Sequence, residues 1–396
     1  MKTACILGGG FAGCAAAHQL EMDGGWDVTL IEASHQLGAG VRTSWHGGHP
    51  YTFGPRHFLT QCQDVWDYMN NICPLRRLEH EFRTYVESDD QFYSYPIHED
   101  DIPRMPEAGL IRCELDALEP SHWTDCPVPQ NLQEYWVQSV GPTLYRKFID
   151  GYSRKMWQID DNRELDTFNW SPKGVALKNG PRAGWDVAMS GYPYRYDGYD
   201  TYFTFAARGA KVLLNTKPFA LQLDKRLVWI HPGDEWRKFD LIVCTISPDV
   251  TLGTILSTRG GPYGSLPYVG REFHVWVDEQ EYAMPEKVFW TYYAGSEKHT
   301  RITEYKKFTG HKSPHTLLGM EIPCLNGRKD YPYPMKKWQA LAKQYHDSAA
   351  EDVFFMGRIG SYRYSLDMAA CVEQAFHFRQ QIKSGAGRGV LGERWQ

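Results

Sequence analysis

Residues 2–32, KTACILGGGFAGCAAAHQLEMDGGWDVTLIE, constrain this chain more than any other segment. An apolar strand, Ala4 to Leu7, runs into Gly8, Gly10 and Gly13. A helical stretch follows, and a second apolar strand, Val28 to Ile31, ends on Glu32. Gly8 permits a tight turn, Gly10 lets the backbone approach a pyrophosphate, and Gly13 lets the helix pack closely on the sheet. The helix N-terminus offers unpaired N–H groups and a positive dipole end, and Glu32 can accept hydrogen bonds from a ribose. A glycine-rich turn in an ordinary α/β domain would need only part of this pattern. The two strands and the acid together point to a dinucleotide.

At 396 residues the chain can bury a large core and is expected to hold two or three domains. Its net charge of -5 carries no nucleic-acid signature, and Arg76-Arg77 and Lys306-Lys307 read as solvated faces. No apolar run is long enough for a membrane span. The fingerprint strand occupies the N-terminus, so a signal peptide is not expected. The nine cysteines are scattered without Cys-x-x-Cys spacing, so neither a zinc site nor a redox pair is expected. Cys5, Cys14 and Cys244 read as small buried hydrophobes, and a cytoplasmic location fits. The 14 Trp, 24 Tyr and 18 Phe are many; several stand near Arg and Gly in loop-like stretches, where they suit stacking on a planar ligand.

The nucleotide-binding half is split. Residues 205–216 read as a helix end and a strand, 238–248 as a buried parallel strand, and 353–382 as a strand, a glycine turn and a long helix. Two insertions intervene. Residues 100–160 carry Pro-punctuated helical patterns such as Asn131–Ile149, and 268–323 alternate as antiparallel strands do. Residues 168–197 read as a long loop, which is commonly functional. In FFMGRIGSYRYSLDMAACVEQAF, Asp367 is a candidate helix N-cap. A helix beginning there would aim its positive end beside the glycine turn.

These segments, with GPRHFLTQCQDVWDYMN (54–70), FYSYPI (92–97), LYRKFIDGYSRKMW (144–157), HTRITEYKKF (299–308), YPYP (331–334) and GRIGSYRYSLDM (357–368), resemble the UDP-galactopyranose mutase family, in family order. The resemblance implies a Rossmann-like α/β FAD-binding domain with a helical insertion and an antiparallel β-sheet domain. The divisions expected are 1–75, 198–250 and 345–384 for the FAD domain, 76–197 for the helical insertion with a mobile loop, 251–344 for the substrate sheet and 385–396 for a flexible tail. The implied reaction interconverts pyranose and furanose forms of a nucleotide-diphosphate sugar through a flavin N5–sugar adduct, without net redox change, in the service of cell-surface polysaccharide synthesis. It needs reduced FAD, hence NAD(P)H or a reductase, and no membrane span or nucleic acid; a homodimer is expected.

By the same resemblance Tyr152 stacks on the base, with Phe148 and Trp157 beside it. Arg301 binds the diphosphate, a loop arginine (Arg182, with Arg195 as rival) completes the clamp, and Tyr333 and Tyr364 contact phosphate. Asp367 follows the second tyrosine, with Ser365 an extra residue between them. Cofactor contacts are implied for Gly8, Gly10, Phe11, Ala12, Gly13, Glu32, Gly38, Val212, Gly357, Arg358, Asp367 and Met368. Three positions in the implied sugar and flavin pocket depart from the family. Arg56 and Leu59 replace the two histidines of GPHIFHT, with His57 one position away, and Phe82 replaces an asparagine that faces the sugar. Gly38-Ala39-Gly40 stands for GGN. The competing readings are an FAD-dependent oxidase or dehydrogenase of the amine-oxidase type, and a flavin-binding protein without catalysis.

Overall fold

The computed structural model describes residues 1–118, 128–166, 176–185, 188–231, 235–250, 252–253, 262–384 and 389–390. Ala4, Cys5, Ile6 and Leu7 are buried, and each lies between two parallel partners: Ala4 between Val28 and Leu241, Leu7 between Ile31 and Cys244. Burial on both faces is what turns a strand into a continuous apolar run. The sheet holds six strands in the order Ala210–Leu213, Trp26–Ile31, Lys2–Leu7, Leu241–Cys244, Val353–Phe355 and Gly389–Val390, all parallel. Segments far apart in the chain therefore complete the sheet that begins at residue 2. Gly389–Val390 also corrects the expectation of a wholly flexible tail; the rest of 385–396 lies outside the described residues.

Gly8 sits at φ +102°, and a Cβ on Gly13 would lie 1.9 Å from the Gly8 carbonyl oxygen. Any side chain at position 13 would therefore push the helix Phe11–Asp23 off the strand that feeds it. That helix packs on the helix Met368–Ser384. Leu20 and Phe378 are fully buried, each such burial contributing roughly 1.5–3 kcal/mol.

A second sheet has seven strands, in the order Tyr331–Pro332, Tyr268–Asp278, Thr316–Cys324, Arg301–Glu304, Val288–Tyr293, Glu81–Val86 and Gln91–Tyr95. Only Val288–Tyr293 and Glu81–Val86 run parallel. The expected division at 76–197 is corrected here, because Glu81–Val86 and Gln91–Tyr95 belong to this sheet. Phe82, Thr84 and Val86 are buried in alternation, a period-two signal that marks a half-buried strand.

The helical segment comprises Ala108–Asp116, Leu132–Tyr145, a π-helical turn Arg146–Asp150, and Gly151–Trp157. Asn131 caps Leu132–Tyr145 by accepting from the Glu134 N–H at 2.9 Å. Gly141, at φ +81°, and Pro142 kink it. The π turn carries Phe148 into the core immediately before Tyr152. Within the expected loop 168–197, Met189–Pro193 is a strand between Phe58–Thr60 and Leu75–Arg77, a further correction. Residues 167–175 and 186–187 of that loop lie outside the described residues.

Candidate active site

The strands Lys2–Leu7, Trp26–Ile31, Leu241–Cys244 and Val353–Phe355 all deliver their following residues to one edge of the parallel sheet. Ligands of open α/β sheets bind at that edge. Gly10 begins the first helix, whose N-terminus carries no side-chain cap. A Cβ on Gly10 would meet only Ala39, at 3.5 Å, so a gap remains between the glycine turn and Gly38–Gly40. The Gly38 N–H donates to the Gly9 carbonyl at 2.8 Å and holds the two turns together. Glu32 accepts from the Gly9 N–H at 2.7 Å and from the Ser34 N–H and Oγ at 2.8 Å each. The carboxylate is thereby held at the end of its strand, as a ribose acceptor must be.

Phe11 and Ala12 are buried in the first turn of that helix, and Val212 lies half-buried beside Leu30. On the other side Gly357 presses against Ala12, where a Cβ would come within 2.8 Å of the alanine methyl. Its N–H donates to Gln374 Oε1 at 2.8 Å. Arg358 donates from Nε to the Leu366 carbonyl at 3.0 Å. Asp367 Oδ1 accepts from the Ala370 N–H at 2.9 Å, so it caps the helix that starts at Met368, itself buried. Asp367 is exposed at its surface, while the protein around its carboxyl pushes it above the usual carboxylate range. An opening beside Gly10, an uncapped helix N-terminus and a fixed acceptor at Glu32 fit the phosphates and ribose of FAD.

The parallel sheet and the seven-stranded sheet meet where the Arg358 guanidinium lies 5.6 Å from the Tyr331 ring and 5.3 Å from the Tyr364 ring. Beyond it, Glu321 is buried between two arginines. Arg301 grips it with Nε to Oε1 at 2.8 Å and Nη2 to Oε2 at 2.9 Å, and Arg271 Nη1 bonds Oε2 from the adjoining strand. Burial raises the Glu321 pKa, but the guanidiniums of Arg301 and Arg271 outweigh it and hold the carboxyl at about 2. Arg271 also lies over Tyr331 at 4.7 Å, and Arg301 lies 5.9 Å from the Tyr292 ring.

Aromatic rings complete the wall. Tyr152 meets Tyr292 edge-on at 5.4 Å, and Trp157 meets Tyr364 at 4.8 Å and Tyr333 at 5.9 Å. Arg56 adds a further cation, in electrostatic reach of Arg271, Arg358 and Glu321. Arginines therefore outnumber the acids here, and planar forks of donors beside aromatic faces suit a diphosphate joined to a base.

Not every expected residue stands in this cluster. Arg182 is bound to Ser94 Oγ and, at 3.1 Å, to both oxygens of Asp101. Arg195 is exposed and paired with Asp197 at 3.0 Å. Leu59 lies half-buried in a strand opposite Ser190, and Phe148 packs on Tyr93 at 6.0 Å. Phe82 is 1% exposed and stacks on Trp290 at 3.8 Å, with Gly184 against its other edge. The alternation of its strand turns Phe82 onto the buried face of the sheet, 6.3 Å from the Tyr292 ring. Glu321, Arg271, Tyr292 and Tyr331 escaped the sequence reading. A charged letter inside an apolar strand, as in TLLGMEIPC or YVGREFHVWVD, was the available signal for the first two.

A family model described as UDP-galactopyranose mutase matches residues 147–364, and one described as an NAD(P)-binding Rossmann-like domain matches residues 6–72. The chain is 24% identical to the dTDP-fucopyranose mutase of Escherichia coli, covering 96% of this chain and 98% of that one. It is 25% identical to a probable UDP-galactopyranose mutase of Klebsiella pneumoniae, covering 97% and 95%. The crystal structure of a reduced UDP-galactopyranose mutase superposes with a TM-score of 0.80 at 17% identity, over 98% of this chain and 96% of that one.

Proposed function

The chain belongs to the UDP-galactopyranose mutase family, a family of flavin-dependent isomerases, and from that premise we propose that it interconverts the pyranose and furanose forms of a nucleotide-diphosphate sugar. The observation that carries the reading is the buried Arg301–Glu321–Arg271 cluster beside Tyr152, Tyr292 and Tyr364. An oxidase would have no use for a diphosphate clamp there. FAD is the cofactor, held by Gly8, Gly10, Phe11, Ala12, Gly13, Glu32, Gly38, Val212, Gly357, Arg358, Asp367 and Met368. Bound there in its reduced form, it supplies a nucleophile for the anomeric carbon with no net change of redox state.

The chain's own residues then bind and hold. Tyr152, flanked by Phe148 and Trp157, offers its ring to the base. Arg301, with Glu321 fixing its fork, steadies the diphosphate while it is detached from the sugar, and Tyr333 and Tyr364 donate to the same group. Arg182 would have to give up Asp101 and Ser94 to join them. The sugar is UDP-galactose or a variant with fewer hydroxyls. Two observations favour the variant: Leu59 stands where the family has a histidine, and the Escherichia coli relative is named for fucose, which lacks a 6-hydroxyl.

The reductant is NAD(P)H or a reductase, the assembly a homodimer, the location cytoplasmic and the product a precursor of cell-surface polysaccharide. Among the described residues no helix is long and apolar enough to cross a membrane. The test is to reduce the enzyme once with dithionite, remove the excess anaerobically, and chromatograph products from UDP- and dTDP-linked galactose, N-acetylgalactosamine and 6-deoxy sugars. Many turnovers per flavin support the mutase; product that never exceeds enzyme overturns it.

A further inference from the structure

Arg56 is held in an unusual way. Its carbonyl accepts from the Tyr199 hydroxyl at 3.0 Å, and its Nε donates back to the Phe53 carbonyl at 3.2 Å. No hydrogen bond or ion pair among the described residues uses its remaining N–H groups. The residue is half-buried; burial opposes its charge most, Arg271 and Arg358 add to that, and Tyr331 and Glu321 offset it only in part. A cation kept where the protein disfavours it, with its donors unspent, asks for an anion that arrives from outside.

The neighbouring residues select which anion. Arg56 Nη2 is 3.9 Å from the point a Cβ would occupy on Gly40. Gly40 follows Ala39, the residue across the gap from Gly10. Arg56 also lies within electrostatic reach of Arg358, whose Nε is already spent on Leu366. The Arg56 guanidinium therefore sits beside the cofactor turn, within electrostatic reach of the junction of the two sheets, where the diphosphate cluster already has Arg301.

We propose that Arg56 donates hydrogen bonds to the isoalloxazine in its anionic reduced form and so raises the flavin reduction potential. The inference rests on the FAD-dependent reading above. Uptake of two electrons and one proton leaves the ring with one negative charge. Arg56 binds that charge and transfers no proton, and the electrons come from the external reductant. An enzyme whose flavin must stay reduced through many turnovers gains from such a contact.

The test measures the midpoint potential of FAD-loaded wild type, Arg56→Gln, Arg56→Lys and Arg301→Ala by spectroelectrochemistry. It also measures the absorbance pH titration of each reduced form and the affinity of each for UDP. Loss of one charge-assisted donor should shift the oxidised-to-reduced ratio of Arg56→Gln roughly ten- to hundredfold, or about 30–60 mV lower for a two-electron couple. It should also raise the pKa of its reduced flavin. Arg56→Lys should keep most of the potential, and Arg301→Ala should leave it unmoved. An unshifted potential in Arg56→Gln, with weakened UDP binding instead, would assign Arg56 to the diphosphate and overturn the inference alone. If Arg56→Gln does not fold, Arg56→Met takes its place, and a potential equal to that of wild type there would refute the role. Wild type that holds no FAD would overturn the cofactor reading itself.

Discussion

Glu321→Gln isolates the electrostatics of the site. The wild-type carboxylate accepts from Arg301 on both oxygens and from Arg271 on one, in a buried setting. The glutamine has nearly the same shape, but one of its terminal atoms becomes a donor facing a donor, the partly buried Arg301 loses its counter-charge, and the buried Arg271 keeps only Asp330, at 3.8 Å. The pKa supplies a magnitude. Held at about 2 against an ordinary 4.5, the carboxyl stabilises the folded state at neutral pH by on the order of 3 kcal/mol, at 1.36 kcal/mol per unit. Breaking a buried pair by removing one partner costs a similar ~3–5 kcal/mol.

Because the folded pKa is depressed, this stabilisation is fully present above about pH 4.5 and disappears as pH falls toward 2. Urea titrations followed by tryptophan fluorescence at several pH values between 3 and 7 should therefore show a large deficit for Glu321→Gln at pH 7 that narrows below pH 4.5. Turnover should fall as well, since Arg301 loses the carboxylate that fixes its fork. A variant as stable as wild type at pH 7, or a deficit independent of pH, would falsify the argument that a charge balance organises the cluster.

Three further outcomes are expected. Gly10→Val should yield colourless protein that does not take up FAD, because a branched side chain fills the gap before Ala39; flavin absorbance per chain is the readout. Arg301→Ala should retain FAD yet lose on the order of 10²–10³ in kcat, the usual cost of one preorganised donor; lost flavin with normal turnover of the remainder would place Arg301 at the cofactor instead. Tyr152→Ala should weaken UDP binding by roughly 1–3 kcal/mol, the worth of one stacked base, with kcat little changed; calorimetry with UDP settles it.

The sequence by itself determined whatever depends on local backbone requirements. The turn through Gly8, Gly10 and Gly13, the acceptor at Glu32 and the cap at Asp367 are legible because each needs a particular residue at a fixed short spacing from a strand or helix end. The continuous apolar runs at 4–7 and 241–244 likewise announce strands covered on both faces. What only the tertiary structure decided are relations between residues distant in the chain. Glu321 reads as one acid in an apolar strand until the sheet sets Arg301 opposite it in register and Arg271 on the next strand. The packing of Phe82 on Trp290 likewise exists only once its strand pairs in parallel with Val288–Tyr293. A guanidinium carries the same charge on any surface; burial and register decide whether it grips a buried carboxylate like Arg301, salt-bridges a loop like Arg182, or keeps its donors for a ligand like Arg56.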